Sequence, residues 1–328
     1  MIRDALLWET EGNRVRCCLC PHHCRIGSGK HGLCSVRINQ EGLLKTINYG
    51  EITSMAMDPV EKKPLYHFMP GKRILSVGSF GCNFTCEFCQ NASIAQSRGD
   101  SKYLSPEQLV AYSMIPSDNI GIAFTYNEPT VWFEYVYDTV RKLKESHPDR
   151  KTVLVTNGYM ETEALAKLLP YVDAMNIDLK SFRDDYYRRV CGGDVKSVQR
   201  TIKEACGKCH VEITVLLVTG LNDSAGEVEE IAAWLAALDR NIPLHLSRYF
   251  PANRMTRPPT EKSVMIQARR AAKKHLNYVY LGNMEDPDGS TRCPQCGRLL
   301  IERQGYRAGV RMNQPVCPDC GAPVSVVL

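Results

Sequence analysis

Residues 81–91 read GCNFTCEFCQN and place three cysteines at a C-x3-C-x2-C spacing. The cysteines are Cys82, Cys86 and Cys89, and they directly follow an apolar run, residues 73–79, that is predicted to be a strand. Thiolates are soft ligands that bind iron–sulfur clusters or zinc. Three thiolates leave one iron of a four-iron cluster without a protein ligand, and an open metal position is where a reactant binds. A zinc site completed by a distant fourth ligand is the alternative.

Downstream of this loop, the sequence alternates between apolar, β-rich runs and segments of helical period. Val136, Val140 and Leu143, for example, recur at the spacing of one helix face. About six such alternations are typical of a parallel α/β sheet in the form of a barrel, a partial barrel or an open doubly wound sheet. In each form the chemistry lies at the carboxyl ends of the strands. The other predicted strands are 120–126, 151–156, 174–179, 211–218, 243–249 and 278–281.

The composition excludes several classes of protein. The chain has 328 residues, of which 44% are hydrophobic and 23% charged, so a disordered or collagen-like chain is excluded. A net charge of +5 neither requires nor excludes a polyanionic partner. The N-terminus resembles no signal peptide, and no stretch approaches the ~20 apolar residues that span a bilayer. We therefore expect a cytoplasmic protein, in which 15 cysteines indicate metal sites rather than disulfides.

Four cysteines near the N-terminus have a spacing that suits a second metal site. They follow a C-x2-C-x3-C-x9-C pattern, and four thiolates hold either zinc or an auxiliary iron–sulfur cluster. Zinc is the favoured occupant, because histidines beside a C-x2-C are common in structural zinc sites. Alternative ligands nearby are Cys18, His22 and His23. The four cysteines of the pattern are Cys17, Cys20, Cys24 and Cys34.

The C-terminal cysteines form two C-P-x-C-G knuckles with the spacing of a zinc ribbon. Residues 299–303 and 309–314 are its expected strands. A structural role is the first hypothesis, since so short a segment cannot build a core without metal. A recognition module for phosphates or an acidic protein is the alternative. The predicted ligands are Cys293, Cys296, Cys317 and Cys320, and the arginines available for recognition are Arg298, Arg303, Arg307 and Arg311.

The C-x3-C-x2-C loop after the first of several βα units resembles the signature of radical S-adenosylmethionine (SAM) enzymes. The resemblance implies a partial (β/α)6 barrel in which Cys82, Cys86 and Cys89 bind a [4Fe–4S] cluster. It implies that SAM chelates the open iron and is reductively cleaved to a 5′-deoxyadenosyl radical, which abstracts hydrogen from a substrate. It also implies a low-potential electron donor such as a ferredoxin or flavodoxin.

Other segments at predicted strand ends resemble SAM-binding segments of the same superfamily. The sequence TYNEPT after the second strand is similar to a Gly-Gly-Glu-Pro segment that receives the SAM amino group. This similarity assigns SAM binding to Glu128 and to Asn127, which replaces a glycine. Thr156 and Asn157 follow the third strand, where relatives bind the ribose or carboxylate, and Asn283 follows the last strand near the expected adenine site. For Glu128, capping of the next helix is the alternative role.

Three further residues are expected to line the substrate cavity. Asp178 and Lys180 resemble the Asp-x-Lys of pyruvate formate-lyase activating enzymes, although a structural ion pair is the alternative. His245 lies on the sixth strand, where relatives place a substrate-facing histidine. Cys191 is interpreted as a buried or incidental cysteine.

Over nearly its whole length the chain resembles the radical SAM enzyme of the AmmeMemoRadiSam system. DPVEKKPLYHF at residues 58–68 and PLHLSRYFP at residues 243–251 carry this resemblance, together with the terminal cysteines. It implies a protein or peptide substrate, as for a glycyl-radical activase, and two partners, a Memo-like and an AMMECR-type protein. Radical modification of RNA is one alternative. A non-catalytic zinc or iron–sulfur binding protein, or an electron carrier, is the rival from another class.

The motifs divide the chain into four predicted segments. Residues 1–35 are a cysteine-rich metal-binding segment, and 36–72 a hairpin and connector. Residues 73–286 are the radical SAM core, and 287–328 the zinc ribbon.

Overall fold

The N-terminal part of the chain forms small antiparallel sheets in the computed structural model, which describes residues 1–328. The strands are β1 (Arg3–Asp4), β2 (Trp8–Glu11), β3 (Arg14–Cys17), β4 (Arg25–Gly27), β5 (Arg37–Gln40), β6 (Leu43–Thr46) and β7 (Glu51–Ile52). One sheet contains β2, β3 and β4, and another contains β1, β6 and β5. Val15, Leu19 and Ile26 belong to the same buried apolar cluster as the core strands, so this segment packs directly on the core.

The core is one eight-stranded sheet whose strands follow one another in chain order. Strand β8 is antiparallel to the next strand of the sheet, and the other seven are parallel. The core strands are β8 (Ser54–Pro59), β9 (Arg73–Gly78), β11 (Asn119–Phe124), β12 (Lys151–Thr156), β13 (Ala174–Asp178), β14 (His210–Leu217), β15 (Leu244–Arg248) and β16 (Val279–Gly282). The short strand β10 (Lys102–Tyr103) lies outside this sheet and pairs with β7.

This strand order decides between the architectures that the periodicity left open. Because the order never reverses, right-handed crossovers place their helices on one side of the sheet, which excludes a doubly wound arrangement. The edge strands β8 and β16 are not paired with each other, so the sheet is an open, partial barrel. The predicted partial (β/α)6 barrel is confirmed, with β16 as an additional parallel strand.

The parallel strands form where apolar residues follow one another without alternation, as expected when both faces of a sheet are buried. In β11, for example, Ile122, Ala123 and Phe124 are all fully buried. Strand β8 was not predicted. It lies within residues 36–72, which were expected to hold only a hairpin and a connector, so the core sheet begins before residue 73.

Eight helices accompany the core strands, and several begin at capping residues. The Ser105 side chain accepts a hydrogen bond from Gln108 N at the start of the second helix, and Asp194 accepts one from Ser197 N at 2.8 Å at the start of the sixth. None of the helices combines the length and hydrophobicity that crossing a membrane requires. The helices are α1 (Ala92–Ala95), α2 (Pro106–Ser113), α3 (Phe133–Ser146), α4 (Thr162–Leu168), α5 (Asp184–Tyr186), α6 (Val195–Ala205), α7 (Ala225–Leu238) and α8 (Lys262–Ala272).

The C-terminal residues form a separate antiparallel sheet. Its strands are β17 (Thr291–Arg292), β18 (Leu299–Gln304) and β19 (Arg307–Val310). The last strand spans residues 307–310 rather than the expected 309–314. It begins earlier than expected because the chain already reverses at Gly305, whose φ is +59°. Leu300, Ile301 and Met312 form a small core of their own beside two of the cysteines.

Candidate active site and metal centres

The cysteines of the C-x3-C-x2-C loop line one cavity at the carboxyl ends of the parallel strands. The loop follows β9, and Cys82, Cys86 and Cys89 all face a cavity of about 490 Å³. This volume is typical of sites for small molecules and cofactors. Gly81 has a φ of +93°, and a Cβ on it would lie 2.5 Å from Cγ1 of Val36. Glycine is therefore required where the loop passes the N-terminal segment.

Neighbouring segments fix the position of this loop. Thr85 N donates to Cys191 O at 2.9 Å, and Asn157 Nδ2 lies 3.8 Å from the Cys82 sulfur. A side-chain hydrogen bond with Cys191 lowers the pKa of Cys86 from its usual value. Cys191 is buried, as interpreted from the sequence, but its contact with a cysteine of the loop was not foreseen.

Glu128 joins the ends of two strands at the cavity wall. Its Oε1 accepts from Thr130 Oγ1 and Thr156 Oγ1, each at 2.6 Å, and from Thr130 N at 3.0 Å. Its Oε2 accepts from Asn157 N at 2.8 Å. Burial raises the pKa of Glu128, and these four donors oppose the rise. The bond from Thr130 N is the capping contact anticipated as the alternative, and Glu128, Thr156 and Asn157 all line the cavity.

Asn127 ties the end of β11 to the start of the cysteine loop. Its Oδ1 accepts from Ser79 N, and its Nδ2 donates to Gly81 O, both at 3.0 Å. The preceding Tyr126 has a φ of +72°, which is uncommon for a non-glycine residue and is a form of strain found at functional sites. The Tyr126 hydroxyl donates to Asp58 Oδ2 at 2.7 Å, which links the segment to β8.

Asp178 and Lys180 face the same cavity and also form the ion pair that was the alternative. Lys180 Nζ lies 2.9 Å from Asp178 Oδ2. Burial by itself lowers the pKa of Lys180, but Asp178 and the sulfurs of Cys86 and Cys191 outweigh burial and hold this pKa well above its usual value. An ammonium group that favours its charged form therefore lies beside the cysteine loop. An Nζ carries three donors, so the ion pair leaves the others free for a ligand.

Comparisons with known proteins agree with this arrangement. The model of the radical SAM superfamily matches residues 76–235. An uncharacterised protein of Methanocaldococcus jannaschii is 40% identical over the full length of both chains. The chain belongs to the radical SAM superfamily.

Further relatives of this radical SAM enzyme share less of its sequence. A probable GTP 3′,8-cyclase of Methanosarcina mazei is 25% identical over 68% of this chain and 72% of its own. A radical SAM methyltransferase of Sphaerobacter thermophilus aligns with a TM-score of 0.50 and 17% identity, over 90% of this chain and 80% of its own. SuiB of Streptococcus suis bound to SAM has a TM-score of 0.52 and 13% identity, over 69% of this chain and 53% of its own. These two structures support the fold alone.

The cavity fits the [4Fe–4S] cluster and SAM that the superfamily uses. Three thiolates on one wall leave a fourth iron position open. The three sulfurs line a cavity of about 490 Å³, which is much larger than a single metal ion needs. The opposite walls are polar, as the recognition of a charged sulfonium cofactor requires.

The cavity also has wall residues that sequence reasoning missed. They include Thr214 on β14 and Ser247 on β15, which belong to the inward-facing set of their strands, and the pair Lys62 and Lys63 before β9. Alternation along the strands contained a signal for the first two residues, because inward residues recur at every second position. Asn283, predicted from the sequence, also lines the cavity, and its Nδ2 donates to Arg248 O at 3.1 Å.

His245 is the one predicted residue of the core site that does not line this cavity. It lies two residues before Ser247, so the two side chains share a face of β15, but His245 is one layer closer to the amino end of the sheet. There its Nε2 contacts Glu212 Oε2 at 2.6 Å. Glu212 is fully buried and also contacts His210 at 2.9 Å. The structure therefore places His245 in a buried network beneath the cavity.

The N-terminal cysteines meet at a separate buried cavity. Cys17, Cys20, Cys24 and Cys34 all line it, while Cys18 does not. The four therefore come together as the spacing predicts.

The C-terminal cysteines form a compact group suited to one metal ion. All four sulfurs lie within 4.8 Å of one another, and the pairs Cys293–Cys320 and Cys296–Cys317 are 3.6 and 3.5 Å apart. Among the four arginines considered for recognition, Arg303 packs against the core. Its guanidinium lies 4.4 Å from the centre of the Tyr66 ring. Two of the other arginines form ion pairs: Arg298 with Asp319, and Arg311 with Glu302.

Proposed function

We propose that this enzyme binds SAM in the 490 Å³ cavity and uses it to abstract a hydrogen atom from a protein or peptide. The observation that carries the proposal is the convergence of Cys82, Cys86 and Cys89 with Glu128 and Lys180 on one cavity. When bound and reduced, the [4Fe–4S] cluster supplies the electron that cleaves SAM to methionine and a 5′-deoxyadenosyl radical. The required electron comes from a low-potential donor of the ferredoxin or flavodoxin class.

The chain's own residues orient the reactants and keep water out. Glu128 is 2% exposed and holds the Asn157 backbone in place, so both present polar atoms to the amino-acid part of SAM. Thr156 contributes to the same wall, with Asn127 beside it and Asn283 on the side proposed for the adenine. Fixed donors and acceptors in a site sheltered from water need no reorganisation when SAM binds.

The substrate side carries positive charge. Lys180 is 13% exposed and keeps free donors beside the cysteine loop, with Asp178 as its partner. Lys62 and Lys63 also line the cavity, where both are paired with Asp58. The free donors of Lys180 favour a substrate with a carboxylate near the reacting carbon, which acidic side chains and the C-terminus of a peptide supply. We assign His245 to the stability of the layer beneath the cavity rather than to contact with substrate.

The resemblance of residues 58–68 and 243–251 supports a narrower proposal, membership of the AmmeMemoRadiSam system. Under this proposal a Memo-like protein and an AMMECR-type protein are partners of the chain. Affinity purification of the tagged enzyme under anaerobic conditions tests it, because both partners should be recovered in stoichiometric amounts.

The C-terminal cysteines are proposed to hold a structural zinc ion. Four thiolates bonded to zinc at about 2.3 Å lie about 3.8 Å apart, close to the two sulfur–sulfur distances of the group. The metal joins two knuckles whose apolar core contains only a few side chains, as in other small metal-folded units.

Anaerobic incubation of the reconstituted enzyme with SAM and dithionite tests the main proposal. We expect release of 5′-deoxyadenosine and methionine, and we expect Cys86→Ala to abolish it. Cys206→Ala is the matched control, because Cys206 lines none of the cysteine sites described above. The absence of product from the wild type, or its persistence in Cys86→Ala, would refute the proposal.

The substrate class is tested with a fractionated cell extract. Extract that contains the substrate should stimulate 5′-deoxyadenosine release. If the substrate is a protein or peptide, protease treatment of the extract should remove the stimulation and ribonuclease should not. The reverse result would indicate RNA as the substrate and contradict this part of the proposal.

A further inference from the structure

We infer that the C-terminal unit, residues 291–328, positions the floor of the SAM cavity, and that Arg303 is the positioning residue. The floor is the β8–β9 segment, residues 60–72, which joins those two strands. The contact between the two parts of the chain stands on its own geometry. Its effect on SAM rests on the proposed function.

The β8–β9 segment is bound to the barrel in the layer beneath the cavity. Two side chains that pair in register on neighbouring strands, Asn176 of β13 and Glu212 of β14, hold its main chain. Asn176 Nδ2 donates to Pro64 O at 2.8 Å. The buried Glu212 accepts from Tyr66 N at 2.9 Å and from His67 N at 2.7 Å. The segment therefore has a fixed position relative to the strands.

The same segment also reaches the cavity. Lys62 and Lys63 line it, and Lys63 Nζ lies 4.7 Å from the centre of the Tyr126 ring, which also lines it. Asn176 provides a second link, because its Oδ1 accepts from Thr214 Oγ1 at 3.0 Å and Thr214 is another wall residue. A shift of the β8–β9 segment therefore moves atoms that face the ligand.

Arg303 of β18 contacts this segment from the C-terminal sheet. Its Nη2 donates to Tyr66 O, and its guanidinium lies 4.4 Å from the centre of the Tyr66 ring and 5.5 Å from that of Tyr280. Its Nη1 donates to Thr291 Oγ1 at 2.6 Å. A guanidinium that stacks on rings and donates from a rigid fork fixes orientation as well as distance. Arg303 therefore determines where Tyr66 lies.

The last residues of the chain bind the same segment. Met69 N donates to Val327 O at 2.7 Å, and Val327 N donates to His67 O at 2.8 Å. His67 Nδ1 lies 2.7 Å from Ser325 O. The adjacent Val326 belongs to the small apolar core that contains two of the C-terminal cysteines. Because so small a core depends on its metal, the state of the C-terminal cysteines is linked to the β8–β9 segment.

Hydrogen exchange measured by mass spectrometry tests the contact in the anaerobically reconstituted, full-length enzyme. Arg303→Met should raise the exchange rate of amides 60–72 at least about tenfold, while zinc content and exchange in β11 and β12 stay as in wild type. Arg303→Lys keeps a charge over the Tyr66 ring and should restore part of the protection. Arg307→Met, at an exposed position of β19, is the matched control. Unchanged exchange of amides 60–72 in Arg303→Met would overturn the inference.

A milder variant covers the case in which Arg303→Met does not fold. Val327→Pro removes the N–H that donates to His67 O, and it lies one residue from the end of the chain. It should raise the exchange of amides 60–72 in the same direction. Wild-type exchange in Val327→Pro would contradict a role for the C-terminal residues.

Kinetics with dithionite test the effect on the cavity. Arg303→Met should raise the KM for SAM at least about threefold and leave kcat within about twofold of wild type. A purely structural role would instead reduce the active fraction, which lowers kcat and leaves KM unchanged. Normal KM together with raised exchange would overturn the link to the cavity. Failure of the wild type to cleave SAM would contradict the proposed function, while the exchange experiment would still decide the contact.

Discussion

Replacing Asp58 by asparagine should destabilise the wall of the SAM cavity by breaking a buried ion pair. Asp58 is 4% exposed, and its Oδ2 contacts Lys63 Nζ and the Tyr126 hydroxyl, each at 2.7 Å. Its Oδ1 contacts Lys62 Nζ at 2.9 Å. Burial would raise the pKa of Asp58, but the bonds from Lys63, Tyr126 and Lys62 outweigh it and hold the pKa below its usual value.

The expected magnitude follows from these contacts. Removing one partner of a buried pair costs about 3–5 kcal/mol, because the other charge is left buried without compensation. The asparagine oxygen can still accept from Lys63 and Tyr126, so we expect a loss near the lower end, about 3 kcal/mol. The matched control is Asp118→Asn. Asp118 pairs with Arg73 at 3.1 Å but is 52% exposed, so its loss should cost less than about 1 kcal/mol.

The assay is anaerobic urea unfolding of the loaded protein, followed by tryptophan fluorescence. A carboxyl group with a lowered pKa in the folded state stabilises the protein above its unfolded pKa of about 3.9. This stabilisation is lost as the pH falls towards the folded pKa. The difference between wild type and Asp58→Asn should therefore be full at neutral pH and shrink below about pH 4. A difference at pH 7 no larger than that of Asp118→Asn would refute the reasoning.

Three further substitutions probe the site, the layer beneath it and the C-terminal group. Glu128→Gln turns Oε2 into a donor that faces Asn157 N, so the affinity for SAM should fall at least about tenfold. Equilibrium dialysis measures this affinity, and Glu163→Gln at an exposed position is the control. Unchanged affinity would remove Glu128 from SAM binding. His245→Gln should leave dithionite-driven SAM cleavage within about threefold. It should lower the free energy of unfolding by about 2 kcal/mol, because the buried Glu212 loses its 2.6 Å hydrogen-bond partner. A large loss of cleavage at normal stability would restore His245 to the active site. Cys293→Ser should reduce the zinc content by one ion per chain and leave the iron content unchanged. It should also make the segment after β16 sensitive to proteolysis. Retention of the zinc would contradict the assignment of these four cysteines to a zinc site.

Local sequence was enough to predict the core strands and the cysteines that come together. The bounds of the predicted core strands were correct within one or two residues, and β12 was predicted with its observed bounds. This success has a physical cause: a strand buried on both faces needs a continuous apolar run, and metal ligands need thiols at short, fixed spacing. Strand β8 was missed because its sequence, SMAMDP, is neither continuously apolar nor regularly alternating. It joins the sheet through the exposed edge of β9.

The sequence by itself therefore determined which cysteines come together in groups and which polar segments end the parallel strands. Only the tertiary structure decided the depth of each inward side chain, because alternation gives the face of a strand and not its layer. Thr214 of β14 pairs in register with His245 of β15, yet Thr214 lines the cavity and His245 turns to Glu212 beneath it. The structure likewise placed Arg303 of β18 over the Tyr66 ring. That contact depends on packing between segments distant in the chain, which no local pattern records.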